Sequence, residues 1–129
     1  MFLIIYLIFL FIRFLNDLRK IRETYTGPEL VDALNNMRRR LDDPNVISRD
    51  TVYNLLISLR DIQNYDGMVL LMEDLNQLPS KVIAQTPILI FQYIFALNRR
   101  NKPGDRQKAL KCIKKALEIE DNQFKVSYL

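Results

Sequence analysis

Residues 95–117 read FALNRRNKPGDRQKALKCIKKAL and predict a helix, a short loop and a second, amphipathic helix. An apolar run from Ile88 to Leu97 forms the first helix, and Pro103-Gly104 stops it, because proline cannot continue a helix. In the second helix, which Asp105 is expected to cap, apolar residues recur at spacings of three and four. These residues are Ala109, Cys112, Ile113 and Ala116. Two helices joined in this way form a helical-repeat unit, a kind of structure that binds other proteins.

A similar pair of helices precedes this unit. Ser48 is expected to cap the first helix of that pair, and apolar residues then recur with the same 0, 3, 4, 7, 10 spacing in both helices. They are Val52, Leu55, Leu56, Leu59 and Ile62, followed by Met68, Leu71, Met72, Leu75 and Leu78. Pro79-Ser80 ends this pair and Pro87 opens the next. The two predicted hairpins, 48–78 and 87–119, are offset by 39 residues, which is near the repeat length of helical solenoids.

Two further helices are predicted before the hairpins. Residues 13–24 form a charged helix, and a second one runs from Thr26, which has capping-box spacing to Glu29, to the turn at Asp42-Asp43-Pro44. The sequence therefore predicts an all-α fold of antiparallel helical hairpins, stacked as a tetratricopeptide-like α-solenoid. Residues 124–129 are expected to open another helix. The solenoid is then truncated at its C-terminal end, with an apolar face left uncovered there.

Residues 1–12 read MFLIIYLIFLFI and carry no charged side chain. A helix that spans a membrane needs ~20 apolar residues, and a signal peptide needs a basic start and a small-residue cleavage site. Three interpretations stay open: a membrane anchor, a helix buried against a partner, and a wrongly assigned start. We divide the chain into this apolar segment, 1–12, and an incomplete helical-repeat region, 13–129. We expect a cytoplasmic protein and do not favour membrane association through residues 1–12.

The composition excludes most enzyme chemistry. Because the chain contains no histidine, it cannot form a Ser-His-Asp or Cys-His nucleophile system or a histidine metal site. Three glycines, at positions 27, 67 and 104, leave no glycine-rich phosphate loop. The single cysteine, Cys112, lies on an apolar helix face and is expected to be a buried structural thiol. We predict no catalytic residue, no cofactor and no metal site.

Basic residues are concentrated between Arg99 and Lys115, where eight of them occur against a single acid, Asp105. Such a cluster can bind an acidic protein surface or nucleic acid, or it can be a solvated helix face. No aromatic residue lies between 96 and 123 to stack on bases, so a protein partner is favoured over nucleic acid. Four residues around the Pro103-Gly104 turn are predicted to bind the partner: Arg99, Arg100, Lys102 and Arg106. Their alternative roles are compensation of the helix dipole and contact with the next hairpin.

Four segments of the chain carry a resemblance to a known family. They read RETYTGPEL (22–30), MRRRLDD (37–43), LISLRDIQNYDGMVLLMEDLNQLP (56–79) and FALNRRNKPGDRQKAL (95–110). In this order and spacing, residues 13–129 resemble the central regulatory region of the apoptosis signal-regulating kinases, a family of MAP kinase kinase kinases.

This resemblance implies a tetratricopeptide-like regulatory scaffold that precedes a kinase domain and lies in a TRAF-binding segment. In that family the region helps to bring the substrate MAP kinase kinase to the catalytic domain and participates in stress-dependent assembly. The implied partners are the substrate MAP kinase kinase, TRAF-type adaptors and other regions of the parent kinase. The chain has no glycine-rich kinase loop, HRD or DFG motif, so phosphotransfer is expected of a longer parent. A membrane-tethered helical protein and a basic nucleic-acid-binding module are the alternatives.

Overall fold

A computed structural model of the chain describes residues 2–77 and 81–128, which form helices and turns and contain no strand. The side chains described are those of residues 2–77 and 83–118. The helices are α1 (Phe2–Thr24), α2 (Gly27–Arg40), α3 (Arg49–Asp61), α4 (Tyr65–Gln77), α5 (Lys81–Ala84), α6 (Pro87–Arg100) and α7 (Asp105–Tyr128). The all-α prediction is confirmed. The single turn α5 was not predicted, because four residues are too few to show a helical period.

The chain divides into two compact units, Met1–Gly67 and Met68–Leu129. In the first unit α1, α2 and α3 pack against one another, and their buried apolar residues form its core. These residues include Phe14, Leu18, Leu34, Met37, Val52, Leu55 and Leu56. An ion pair between Arg40 and Asp17, with 2.8 Å from Nη1 to Oδ2, joins α2 to α1. A second ion pair, between Arg22 and Asp61, joins α1 to α3.

In the second unit α6 packs against α7 and against the single turn α5. A four-residue loop, Asn101–Gly104, connects α6 to α7, so the two helices form an antiparallel hairpin. The buried apolar side chains of this unit include Leu89, Ala96, Leu97 and Ala109. Burying a leucine of this kind contributes roughly 1.5–3 kcal/mol to the free energy of folding. The helix–loop–helix predicted for residues 95–117 is thus confirmed.

Local sequence signals set the starts of α3 and α6. The Ser48 Oγ atom accepts a hydrogen bond from the Thr51 N–H (3.1 Å), and the Thr51 Oγ1 atom accepts one from the Ser48 N–H (2.9 Å). This reciprocal pair is a capping box, and it confirms the predicted cap of α3. Pro87 occupies the first turn of α6, as predicted, since a missing N–H does no harm there. Pro79-Ser80 lies outside the described residues.

Two predictions about helix ends are wrong. Thr26 precedes α2 with extended backbone, but its side chain makes no capping hydrogen bond, and Pro28 lacks one of the N–H groups that a cap could reach. Residues 124–128 do not open a new helix, because α7 continues unbroken to Tyr128 and contains neither glycine nor proline. The predicted hairpin boundary at residue 119 is therefore too early. The side chains of residues 124–129, and the uncovered apolar face predicted for them, lie outside the described residues.

The apolar segment at residues 1–12 and the charged helix predicted at 13–24 are parts of one helix, α1, which is continuous from Phe2 to Thr24. Its second half enters the core of the first unit through Phe14 and Leu18. Within residues 2–77 and 81–128, no helix combines the length and the apolar character that crossing a bilayer requires.

Candidate functional site

The loop between α6 and α7 has a defined backbone geometry. Asn101 adopts the left-handed conformation (φ 53°), and its N–H donates to the Leu97 carbonyl at 2.9 Å, which ends α6. Gly104 has a φ of +88°, a value that costs little only for glycine. The Gly104 carbonyl accepts a hydrogen bond from the N–H of Lys108 at 3.1 Å, which is the first hydrogen bond of α7. The sequence signal Pro103-Gly104 therefore begins two residues after the actual C-cap, Asn101.

A partly buried ion pair stabilises this loop. Arg100 donates two hydrogen bonds to the carboxylate of Asp105, from Nε to Oδ2 at 2.9 Å and from Nη2 to Oδ1 at 2.7 Å. The side chains are only 15% and 2% exposed, respectively. Asp105 Oδ2 also accepts the backbone N–H of Lys102 at 2.9 Å. Planar guanidinium and carboxylate groups that pair twice in this way fix both position and orientation.

Asp105 therefore does not cap α7 in the predicted manner. It occupies the first residue of α7, and its carboxylate points back to the loop instead of forward to the free N–H groups of the helix. The hydrogen bond from Arg100, followed by that from the Lys102 N–H, lowers the pKa of Asp105 to about 2, although burial acts in the opposite direction. The carboxylate is ionised at neutral pH and balances the charge of Arg100.

The structure separates the four predicted partner-binding residues into two groups. The side chains of Arg99, Lys102 and Arg106 are exposed, and we call them the basic triad. Arg100, by contrast, faces inward to Asp105, because successive helical residues point about 100° apart. The guanidinium of Arg99 lies over the ring of Phe95, 5.3 Å from its centroid, which holds this exposed side chain against α6.

Exposed apolar residues continue the surface along α7. Leu110, Ile113 and Leu117 are 58%, 39% and 59% exposed, and we call them the α7 stripe. They follow Arg106 at helical spacing, so all four lie along one side of α7. The apolar spacing predicts Ile113 on one helix face with Ala109, which is buried, and does not include Leu110 or Leu117. Their spacing of seven residues was the available signal.

Glu73 of α4 is a further organising residue of the second unit. Its Oε1 atom accepts hydrogen bonds from the Tyr93 hydroxyl of α6 at 3.1 Å and from Lys108 Nζ of α7 at 3.3 Å. Burial, followed by the charge of Glu73, raises the pKa of Tyr93, so the hydroxyl remains a donor. The partners are 20 and 35 residues away in sequence, and no local pattern indicates such contacts.

Potential reactive and metal-binding groups are few. Cys112 is half-buried, and burial raises the pKa of its thiol against the opposing charges of Lys115 and Lys111. A protonated thiol is a weak nucleophile and a poor metal ligand. Within residues 2–77 and 81–128 no group of three or more histidine, cysteine, aspartate or glutamate side chains is arranged to hold a metal ion.

Comparison with known proteins identifies the family. Residues 12–128 match the family model described as the MAP3K TRAFs-binding domain. The chain is 47% identical over 107 residues to the mitogen-activated protein kinase kinase kinase nsy-1 of Caenorhabditis elegans, with 82% of the chain and 7% of that protein covered. It is 53% identical over 96 residues to human mitogen-activated protein kinase kinase kinase 5, with 74% of the chain and 7% of that protein covered.

A third relative is mouse mitogen-activated protein kinase kinase kinase 15, which is 47% identical over 108 residues, with 84% of the chain and 8% of that protein covered. The chain thus spans 7% to 8% of the length of these curated relatives. The match covers the basic triad, the Arg100–Asp105 pair and the α7 stripe. It confirms the resemblance drawn from the four sequence segments. The chain belongs to the MAP3K TRAFs-binding domain family.

Proposed function

We propose that this chain is a non-catalytic interaction and regulatory scaffold of a stress-activated MAP kinase kinase kinase. It binds a substrate MAP kinase kinase or a TRAF-type adaptor and positions it for the parent kinase. The family description, which names TRAFs as binding partners, and the MAP kinase kinase kinases among the relatives support this role. Phosphotransfer is the task of the longer parent protein, and the complex assembles in the cytoplasm.

The observation that carries the proposal is the basic triad beside the α7 stripe. The ion pair of Arg100 and Asp105 fixes the loop that carries Lys102, and Phe95 holds Arg99, so the loop and the Arg99 side chain are ordered before a partner arrives. Ordering in advance reduces the entropy that binding would otherwise lose. Apolar area surrounded by charged side chains is the usual composition of a protein interface. The surface therefore fits a partner with an acidic, partly apolar face.

The proposed mechanism is positioning. A rigid surface that holds a substrate kinase close to a catalytic domain raises its effective concentration without any new chemistry. The antiparallel α6–α7 hairpin supports the further proposal that the chain forms part of a tetratricopeptide-like solenoid. Stacked hairpins of that kind provide the stiffness that positioning needs.

The test compares the wild-type chain with a variant in which Arg99, Lys102 and Arg106 are replaced by serine. A second variant, with Arg19, Lys20 and Arg39 replaced by serine, removes the same charge from exposed positions elsewhere. Association with the TRAF domain of an adaptor and with a substrate MAP kinase kinase is measured by surface plasmon resonance at two ionic strengths. We expect the triad variant to associate at least tenfold more slowly at low salt, and less so at high salt, because exposed charges mainly accelerate encounter.

Circular dichroism should show unchanged helix content in both variants, since all six side chains are exposed. Equal association by wild type and triad variant would reject the basic triad as a partner site. Equal losses of association rate in both variants would show that the effect depends on net charge and not on the position of the triad. Binding to generic duplex DNA that falls steeply with salt, without binding to either protein, would favour the nucleic-acid alternative.

A further inference from the structure

The first half of α1 is apolar on every side. Residues 2–6 are each more than half exposed, and five successive helical residues point around more than a full turn, so no side of this stretch is packed. Ile8, Phe9 and Ile12 are also about half exposed. Leu7, Ile8 and Phe11 line a groove of about 370 Å³ together with residues 44–48. From Phe2 to Ile12 the only polar side-chain atom is the hydroxyl oxygen of Tyr6.

This distribution does not fit docking onto a protein. A helix that binds a folded protein presents one apolar stripe and keeps polar residues on its remaining sides. Residues 2–6 have no polar side, so one protein surface would leave most of their apolar area in water. An apolar helix without a polar face is typical of a hydrocarbon environment or of the core of a large protein.

Pairing with a second copy of the chain would also fail to cover these apolar side chains. Residues 2–12 extend for about 17 Å at 1.5 Å per residue, and one side of such a helix offers on the order of 200–300 Å². A stable protein interface buries about 800 Å² on each partner. A helix pair formed by this segment alone therefore falls well short, and it would still expose the outer sides of both helices.

Charge changes sharply where the apolar run ends. Residues 13–22 contain four basic side chains and one acidic side chain: Arg13, Arg19, Lys20 and Arg22 against Asp17. Asp17 is shared between Arg40 at 2.8 Å and Arg13 at 3.9 Å, and the side chains of Arg13, Arg19 and Lys20 are exposed. Arginine and lysine at the end of an apolar helix extend their charged groups to phosphates at a membrane surface. The local charge is thus complementary to anionic lipid headgroups.

We propose that residues 2–12 insert into one leaflet of a membrane, with the exposed basic residues Arg13, Arg19 and Lys20 facing the anionic headgroups. The apolar run of residues 2–12 extends for about 17 Å, which is close to half of the ~30 Å hydrocarbon thickness and matches the depth of one leaflet. The second half of α1 stays in the core of the first unit through Phe14 and Leu18. The inference uses residues of α1 alone and does not depend on the proposed function.

The absence of tryptophan from the chain allows a direct test. Tyr6→Trp places a single fluorescent reporter in the apolar segment, and Tyr25→Trp places one beyond the end of α1. Each full-length variant is mixed with phosphatidylcholine vesicles that contain phosphatidylserine and, separately, lipids brominated on the acyl chains. We expect vesicles to shift the emission of Tyr6→Trp to the blue and brominated lipids to quench it. The emission of Tyr25→Trp should show neither effect.

A matched pair of substitutions distinguishes insertion from nonspecific hydrophobic adsorption. Phe9 in α1 and Phe91 in α6 are 58% and 60% exposed, so Phe9→Asp and Phe91→Asp add the same charge at equally exposed positions. In vesicle flotation, Phe9→Asp should lower the partition coefficient at least tenfold, and Phe91→Asp should leave it unchanged. Ile5→Asp repeats the test at a second position, and circular dichroism verifies that each variant is folded.

Several outcomes would overturn the proposal. One is a lack of vesicle binding by the wild-type chain. Another is a blue shift of Tyr6→Trp that depends on protein concentration without vesicles, which would indicate self-association. A third is binding that needs phosphatidylserine and survives in both Phe9→Asp and Ile5→Asp, since that pattern would indicate adsorption of the basic surface of α7.

Discussion

Gly67→Ala is a substitution for which two opposing effects can be compared from the structure. Gly67 lies in the first turn of α4 with ordinary helical backbone, where alanine normally stabilises a helix by about 0.8–1 kcal/mol relative to glycine. An added Cβ, however, would lie 2.7 Å from Nδ2 and 3.0 Å from Cγ of Asn64. The Asn64 side chain therefore has to move.

That movement removes a helix cap. The Oδ1 atom of Asn64 accepts the backbone N–H of Gly67 at 3.0 Å, and losing such a cap costs about 1 kcal/mol, within a range of about 0.5–2 kcal/mol. The gain in helix propensity and the loss of the cap nearly cancel. We expect Gly67→Ala to change the free energy of unfolding by between a gain of about 0.5 kcal/mol and a loss of about 1.2 kcal/mol.

A double-mutant cycle with Asn64→Ala tests this reasoning. Once the Asn64 side chain is removed, nothing obstructs the new Cβ, and Gly67→Ala should stabilise by about 0.8–1 kcal/mol. The coupling free energy is then about 1 kcal/mol, measurable by urea unfolding of the wild type, the two single variants and the double variant. A stabilisation of about 1 kcal/mol by Gly67→Ala in both backgrounds would refute the proposed conflict.

Three further predictions concern the α6–α7 hairpin. Arg100→Ser should lower the urea midpoint of unfolding more than Arg99→Ser, because only Arg100 is held in a buried ion pair; equal shifts would contradict that distinction. The folded-state pKa of Asp105, about 2, lies below the 3.8 of an unperturbed aspartate, so its contribution to stability is present above about pH 4 and is lost as the pH falls through 2. Asp105→Asn should therefore flatten the acid side of stability plotted against pH, whereas an unchanged slope would show that Asp105 is not involved. In thermal unfolding, Leu97→Ala should cost about 2–5 kcal/mol and Leu110→Ala less than about 0.5 kcal/mol; similar losses would show that the α7 stripe is packed.

Sequence reasoning identified the parts of the fold that depend on local chemistry. The cap at Ser48, the start of α6 at Pro87 and the end of α6 before Pro103-Gly104 follow from backbone hydrogen bonding and dihedral limits that neighbouring residues set. The sequence did not indicate the start of α4 at Tyr65, because Asn64 and Gly67 are residue types common in turns. In the structure they form the cap itself, through a hydrogen bond that their three-residue spacing allows.

The four contiguous segments also carried the family resemblance, since a family match depends on residue identity and order and needs no coordinates. The roles of the individual residues in the basic cluster, by contrast, could not be predicted from the sequence. Sequence alone treated Arg99 and Arg100 as equivalent, and only packing showed that Arg99 is exposed whereas Arg100 is partly buried and paired with Asp105. Whether a cation is exposed depends on what lies opposite it after the chain has folded.

By itself, the sequence determined the all-α class, the helix–loop–helix at residues 95–117 and the family. Propensity, capping and order along the chain contain that information. Tertiary structure alone decided that Glu73 joins α6 and α7, that Leu110 and Leu117 remain exposed, and that the apolar residues 2–6 have no packed side. Each of these facts depends on residues that are distant in sequence but close in space, or on the absence of any such residue.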